Sequence, residues 1–371
     1  MNKVSRDNSL IIKIITFSIL TFGLIMVYDA SNIWANYKFN DSFYYLKRQL
    51  IFATVGAFIF YIASRISIYR IRKYTKLILI VSLILLVLVL IPGIGQVRNG
   101  SRSWFGIGAF GFQPSELFKI ALIIYAADFL ERHYDKSTKL KEIMPLLVIA
   151  ILGFGLVMFE PDFGTGLVTL AGLAMLLFVT KLRSRYYVII GGLAVGFFIF
   201  LIVSASYRFD RIVSFLNPYE DPLGTGFQII QSLYAIGPGG LSGFGFLNSM
   251  QQHYYLPEPQ TDFIFAIVVS NFGFLGAVLI LITYGYLFFC SYKLAINMDD
   301  LYSSLLKIGL TNSIVIQTLI NLCVVVGLLP VTGITLPLLS YGGSSLVITL
   351  FSLGIISNIK EEKDAFFNIS K

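Results

Sequence analysis

Charge is scarce in this sequence. Asp, Glu, Lys and Arg make up 13% of its 371 residues, against about 25% in soluble domains. That leaves too little polar surface for a soluble fold of this length. Histidine occurs twice, as His133 and His253, each alone in a separate loop, so no histidine-built metal centre is expected. The two cysteines, Cys290 and Cys323, sit inside apolar runs with no ligand spacing, and read as buried thiols. Also lacking is the ten-residue alternation of an outer-membrane barrel. The first apolar run has no small-residue cleavage site after it and reads as a retained span, not a signal peptide. No soluble module is recognisable at either end, so residues 1–371 read as a single membrane domain.

What is abundant is apolar. Hydrophobic residues reach 56% and mean hydropathy +0.80; between Leu77 and Ile91 only Ser82 is polar. Runs of about 20 such residues match a bilayer core. In lipid the backbone must satisfy its own hydrogen bonds, which makes these runs helices. The pattern predicts an all-α polytopic membrane protein with ten transmembrane helices. Their expected positions are 10–29, 49–65, 76–92, 114–131, 143–158, 163–180, 186–204, 263–290, 304–328 and 340–358.

The net charge of +8 does not point to nucleic acid once its placement is considered. With both termini in the cytoplasm, segments 1–13, 65–76, 132–141, 181–185, 293–307 and 360–371 hold twenty of the 28 Lys and Arg. The other side holds seven, and Lys119 lies within a helix. This is the positive-inside asymmetry, and it orients the chain. The cytoplasmic loops are plain. The outer segments 93–113, 160–162, 205–262 and 329–340 are instead rich in Gly, Pro, Trp and Tyr. Long connections of that kind are usually functional. The largest, about 205–262 between helices seven and eight, is too apolar for disorder and suggests an amphipathic helix at 226–236.

Ionisable groups at membrane depth are costly, so each is a candidate for function. Glu116 and Lys119 share a helix face three residues apart. They read either as an ion pair bracing the bundle or as a cation aimed at an anionic head group. Asp262 closes the stretch Leu256-Pro257-Glu258-Pro259-Gln260-Thr261 and precedes an apolar run. It reads either as a helix cap or as a general base, which needs burial strong enough to raise its pKa. Arg98, Arg102, Arg208 and Arg211 suit phosphate oxygens, on a substrate or on lipid. Asp162 reads as a cap or a support. Gln317 and Asn321, one turn apart, read as interhelical glue.

Seven blocks, in order along nearly the whole chain, resemble the SEDS family of bacterial wall proteins, which includes RodA, FtsW and SpoVE. They are Asn99-Gly100-Ser101-Arg102-Ser103-Trp104, the run from Phe112 to Lys119, Glu160-Pro161-Asp162-Phe163-Gly164-Thr165, Gln228-Ile229-Ile230-Gln231-Ser232, the run from Tyr255 to Phe265, the run from Gly327 to Gly333, and Leu339-Ser340-Tyr341-Gly342-Gly343-Ser344-Ser345. The style leans towards the FtsW and SpoVE branches. Helix eight departs from the pattern, carrying Ser270-Asn271 where acidic residues are usual. No metal or proton-relay role is therefore carried over to those positions.

The resemblance implies a ten-helix protein of the bacterial cytoplasmic membrane, acting as a peptidoglycan glycosyltransferase that polymerises lipid II. Asp262 falls on the family's essential outer aspartate and Glu116 and Lys119 on its helix-four pair. Substrate contacts are then expected from Lys119, Glu116, Arg98, Arg102, Arg208, Arg211, Gln228 and Gln231. Asp162, Thr165, Pro257, Glu258, Ser340, Gly342 and Gly343 are expected to support the site. No organic cofactor is implied, and a divalent cation, Mg or Mn, could share the pyrophosphate. The expected partners are lipid II and the growing glycan, divisome or elongasome proteins, and a class B penicillin-binding protein. Gly273, Gly276, Gln317 and Asn321 are the candidate docking residues for that last partner, with packing inside the bundle as the equal alternative. The alternatives are a lipid II flippase and a non-catalytic scaffold of the wall machinery.

Overall fold

The computed structural model describes residues 3–98, 100–107, 110–135, 137–203, 206–247 and 258–359. Helices dominate: α1 (Lys3–Phe39), α2 (Tyr44–Ala63), a short α3 (Ile68–Lys73), α4 (Thr75–Leu90), α5 (Pro114–Arg132), α6 (Leu140–Phe159) and α7 (Phe163–Leu177). There follow α8 (Ser184–Val203), α9 (Ser206–Leu216), α10 (Phe227–Ile236), α11 (Ile264–Ile296), α12 (Leu301–Val325) and α13 (Gly343–Ser357). Among the described residues, six of these are long and apolar enough to cross a membrane, and α4, α7 and α13 are shorter apolar helices. The chain is a multi-pass membrane protein.

Local chemistry starts α5 and α7. Pro114 opens α5 in the first turn, where a missing N–H costs nothing. Asp162 caps α7 by accepting from Thr165 N at 3.1 Å. Packing then depends on close approach, because lipid supplies no hydrophobic drive between helices. At Gly354 of α13 a side chain would meet Ala63 Cβ at 2.7 Å and Phe60 O at 2.8 Å, so α13 lies tight against α2. Helix α12 runs through the centre, touching α5, α7, α11 and α13.

Three expectations need correction. The all-α reading missed a three-stranded antiparallel meander, β1 (Gln96–Arg98), β2 (Ser101–Ile107) and β3 (Phe110–Phe112). Two of its strands are three residues long, too short for alternation to register. The Asn99-Gly100 pair was the available hairpin signal. Helix α9 was also missed, although Phe209, Ile212, Val213 and Leu216 repeat at helical spacing. Finally, the first helix continues ten residues beyond the expected 29, to Phe39. It ends where Asn40 turns left-handed at φ 53°. The helix expected at 226–236 is present as α10.

Candidate functional site

The meander, the α6–α7 turn, α9, α10, the start of α11 and the segment before α13 enclose one cavity of about 640 Å³. Its wall includes Asp262, Glu258, Arg211, Arg98, Gln228, Glu116, Asp162, Thr165, Gly342 and Gly343. Residues nearly 250 positions apart in sequence thus meet at one opening. An adjoining cavity of about 450 Å³ shares Arg211, Gln228 and Val331 with the first.

Asp262 lies in the turn before α11, half-buried in the cavity wall. It does not cap the helix: the N-cap is Phe263, with no side-chain cap bond. Burial, reinforced by the negative charge of Glu258 and opposed by Arg211, pushes the Asp262 carboxyl up to about 6. Desolvation therefore outweighs the helix-end field that would have lowered it. The backbone here is held from two sides. Asn321 Nδ2 donates to Asp262 O at 2.8 Å and to Ile334 O at 2.7 Å, and Tyr341 N donates to Gln260 O at 2.7 Å.

The cationic side is built by Arg98 and Arg211. Arg98 lies over the Trp104 ring, 5.2 Å from its centroid. Arg211 Nη1 donates to Val331 O at 2.9 Å, which ties α9 to the segment before α13. Asp162 accepts from Gln113 Nε2 at 2.6 Å and Ser115 Oγ at 3.1 Å, so it organises the meander and α5 as well as capping α7. Its carboxyl is raised by burial, against the bonds from Thr165 and Ser115. Neighbouring Glu160 is fully buried, with both carboxyl oxygens unpartnered. Burial first, then the charge of Asp162, pushes it up to about 9, so it is neutral at pH 7. Thr332 and Ser344 line the cavity, and their hydroxyl oxygens are buried with no hydrogen-bond partner in the protein.

Several expected contacts lie elsewhere. Lys119 is not in the wall of the main cavity. It sits one turn deeper than Glu116, donating to Glu116 Oε2 at 2.8 Å and to Gln317 Oε1 at 2.7 Å. The three-residue spacing was right, but the lysine is turned towards α12, where an amide awaits it. Arg102 points to the end of α4, donating to Leu90 O at 3.4 Å, because strand alternation turns it away from Arg98. Gln231 follows Gln228 on α10 but is not part of the cavity wall. Ser340 is buried and braces its own turn, its Oγ accepting from Leu336 N at 2.8 Å. Pro257 and the side chain of Arg208 lie outside the described residues.

Of the two readings of Gln317 and Asn321, the structure favours packing within the bundle. Both side chains are buried within the bundle, holding Lys119, Thr335 O and the Asp262 backbone. Gly273 is buried as well. Sequence reading also passed over Asp29, fully buried on α1, because it stood at the last residue of an expected span.

Comparison with known proteins follows the same outline. The family profile for FtsW, RodA and SpoVE, described as "Cell cycle protein", matches residues 9–365. Stage V sporulation protein E of Bacillus subtilis is 49% identical over 358 residues, 96% of this chain and 97% of the relative. A "Probable peptidoglycan glycosyltransferase FtsW" of Trichlorobacter lovleyi is 40% identical over 354 residues, 95% of this chain and 93% of that protein. Among solved structures, a chain from "Structural coordination of polymerization and crosslinking by a peptidoglycan synthase complex" aligns with a TM-score of 0.77. It is 30% identical, covering 93% of this chain and 95% of that one. Thermus thermophilus rod shape determining protein RodA aligns with a TM-score of 0.67 at 28% identity, covering 93% and 94%. From residue 9 to residue 365, then, this chain belongs to the FtsW/RodA/SpoVE family of cell cycle proteins.

Proposed function

We propose that the protein is a peptidoglycan glycosyltransferase that polymerises lipid II at the outer face of the bacterial cytoplasmic membrane. The observation that carries this reading is a single cavity joining a carboxylate of raised pKa, Asp262, to the guanidinium groups of Arg98 and Arg211. Asp262 takes the proton from a sugar hydroxyl of the acceptor lipid II. That oxygen attacks the anomeric carbon of the growing strand's terminal sugar. The bond from that carbon to undecaprenyl pyrophosphate breaks, and the electron pair leaves with the pyrophosphate, inverting the centre. The leaving group departs as an anion, so no general acid is needed, unlike in a glycosidase. Arg98 and Arg211 stabilise it with charge-assisted bonds. Lys119 acts one layer behind, fixing Glu116. Two adjoining cavities sharing Arg211 suit a reaction between two sugar-bearing substrates. A divalent cation is the sequence-based expectation. However, the described residues present no group of three or more His, Cys, Asp or Glu side chains able to hold one.

The topology in this reading has ten spans, both termini cytoplasmic and the large loop outside, resting on the uneven distribution of Lys and Arg. Cysteines placed at exposed Lys139 and Arg183 should label only from the cytoplasm, and those at exposed Val97 and Glu220 only from outside. Reversed labelling would put the cavity on the wrong side for its substrate.

Mature wall also needs peptide cross-links, and residues 205–262 contain no lysine or cysteine to build an acyl-transfer nucleophile. The proposed partner is a single-span class B penicillin-binding protein. Purified protein with lipid II should form long glycan, about tenfold or more faster when that transpeptidase is co-purified, an effect expected from completing the site on binding. Lipid II translocation across vesicles without any polymer would replace this reading with transport.

A further inference from the structure

Helix α11 is broken one third of the way along. Gly273 takes φ 64° and ψ −160°, which detaches the first stretch, Ile264 to Phe272, from the long remainder. That stub spans about 13 Å by helical rise, and Asp262 stands at its head. Helix continuity therefore does not dictate where Asp262 points. Something else must orient the stub.

The loop after α10 does part of this. Phe244 N and Gly245 N donate to Ser270 O and Asn271 O, both at 2.9 Å. Phe274 N donates to Gly240 O at 2.8 Å and Leu275 N to Leu241 O at 3.1 Å. These bonds recover the groups that the break in the helix exposes, as a membrane protein requires. The approach is so close that a side chain on Gly273 would strike the Leu241 backbone, and its left-handed φ also favours glycine.

Besides the Asn321 and Tyr341 bonds at the head of the stub, a further tie comes from α1. Asp29 is fully buried, and its carboxylate bridges both partners of the pairing. Oδ1 accepts from Leu247 N at 3.0 Å, and Oδ2 accepts from Asn271 Nδ2. Leu247 itself sits at φ 64°, a conformation costly for leucine. One carboxylate thus clamps the loop at Leu247 and the broken turn to α1. Phe22, two turns below on α1, adds a ring contact to Phe272 with centroids 5.9 Å apart.

We propose that Asp29 is a positioning residue: by clamping Leu247 and Asn271 to α1 it sets the pose of the α11 stub, and through it the height of Asp262 in the cavity. Its effect on rate rests on the polymerase reading, but the clamp does not. A displacement of about 1 Å in a catalytic group is enough to cost up to a hundredfold in rate.

The chemistry of the pair defines the test. Exchanging the two residues, with Asp29→Asn and Asn271→Asp together, keeps one carboxylate, one amide and the same bond. Asp29→Ala leaves the Leu247 N–H and the Asn271 amide without their acceptor. The full chain with its transpeptidase should be assayed on lipid II, and amide exchange followed at Gly245 and Leu247. Asp29→Ala should lower kcat about tenfold or more with KM nearly unchanged, the split expected when binding is spared. Exchange at Leu247 should quicken. The exchanged pair should restore both. Should Asp29→Ala fail to insert, Asn271→Asp alone sets two acids in contact and should lose rate, and adding Asp29→Asn should return it. Unchanged exchange in the single variants would remove the clamp. Faster exchange at full rate, or a loss that the exchanged pair does not repair, would remove the positioning role. Wild type that forms no glycan while exchange still responds would count against the polymerase reading and leave the clamp standing.

Discussion

Asp262→Asn should abolish glycan polymerisation from lipid II, a loss on the order of a thousandfold, within the range for removal of a general base. The substitution keeps size and shape and loses only the ability to accept a proton. Folding should not suffer. The Asp262 carboxyl lies at about 6 in the folded protein, above its ordinary value of 3.8. The folded state therefore holds this proton more tightly than the unfolded one. The stability it contributes is complete below about pH 4 and is lost as pH rises through 6. At neutral pH the ionised group opposes folding, so Asp262→Asn should melt at the same temperature as wild type or higher. Activity runs the other way, because only the ionised form is a base. The wild-type rate should climb as pH rises through about 6. Glu258→Gln, which removes the negative neighbour, should move that limb to lower pH. Long glycan from purified Asp262→Asn, or a rate flat between pH 5 and pH 7 (a range of roughly one unit either side of the pKa), would exclude Asp262 as the base.

The second large effect concerns the buried pair behind the cavity. Lys119 and Glu116 are each only 7% exposed and 2.8 Å apart. Removing one partner of such a pair typically costs about 3–5 kcal/mol, because the other charge is left buried. Lys119→Met should therefore lower the melting temperature clearly and reduce polymerisation about a hundredfold, as a misplaced wall group would. Glu116→Gln keeps an acceptor for the lysine and should be milder. Combining the two removes both charges, and the melting temperature should recover while the rate stays low. Recovery of both together, read by thermal unfolding in detergent alongside the lipid II assay, would reduce the pair to a brace.

Much of the outline was legible because lipid is an exacting solvent. A run such as Leu77–Ile91 has few alternatives to a helix, and each expected apolar run overlaps a described helix, with ends differing by several residues. Pro114 and Asp162 mark helix starts in the sequence and serve as such in the fold. Local rules were weaker outside the apolar runs. Strands as short as β1 and β3 offer no period to read, and α9 was hidden inside a segment taken as loop.

The sequence by itself determined that this is a multi-pass membrane protein, and it singled out Asp262, Glu116, Lys119 and the arginines of the long loops as candidates. Only the tertiary structure decided how they are arranged. It set Arg98 and Arg211 in the cavity and turned Arg102 out, placed Lys119 behind Glu116, and buried Gln317 and Asn321 as internal ties. It also brought Asp29 and Asn271 together across 242 positions. The physical reason is that composition and period report on a segment's solvent, whereas a side chain's partner is chosen by the packing of helices distant in sequence. A buried carboxylate looks the same in the sequence whether it ends a helix or clamps three elements together.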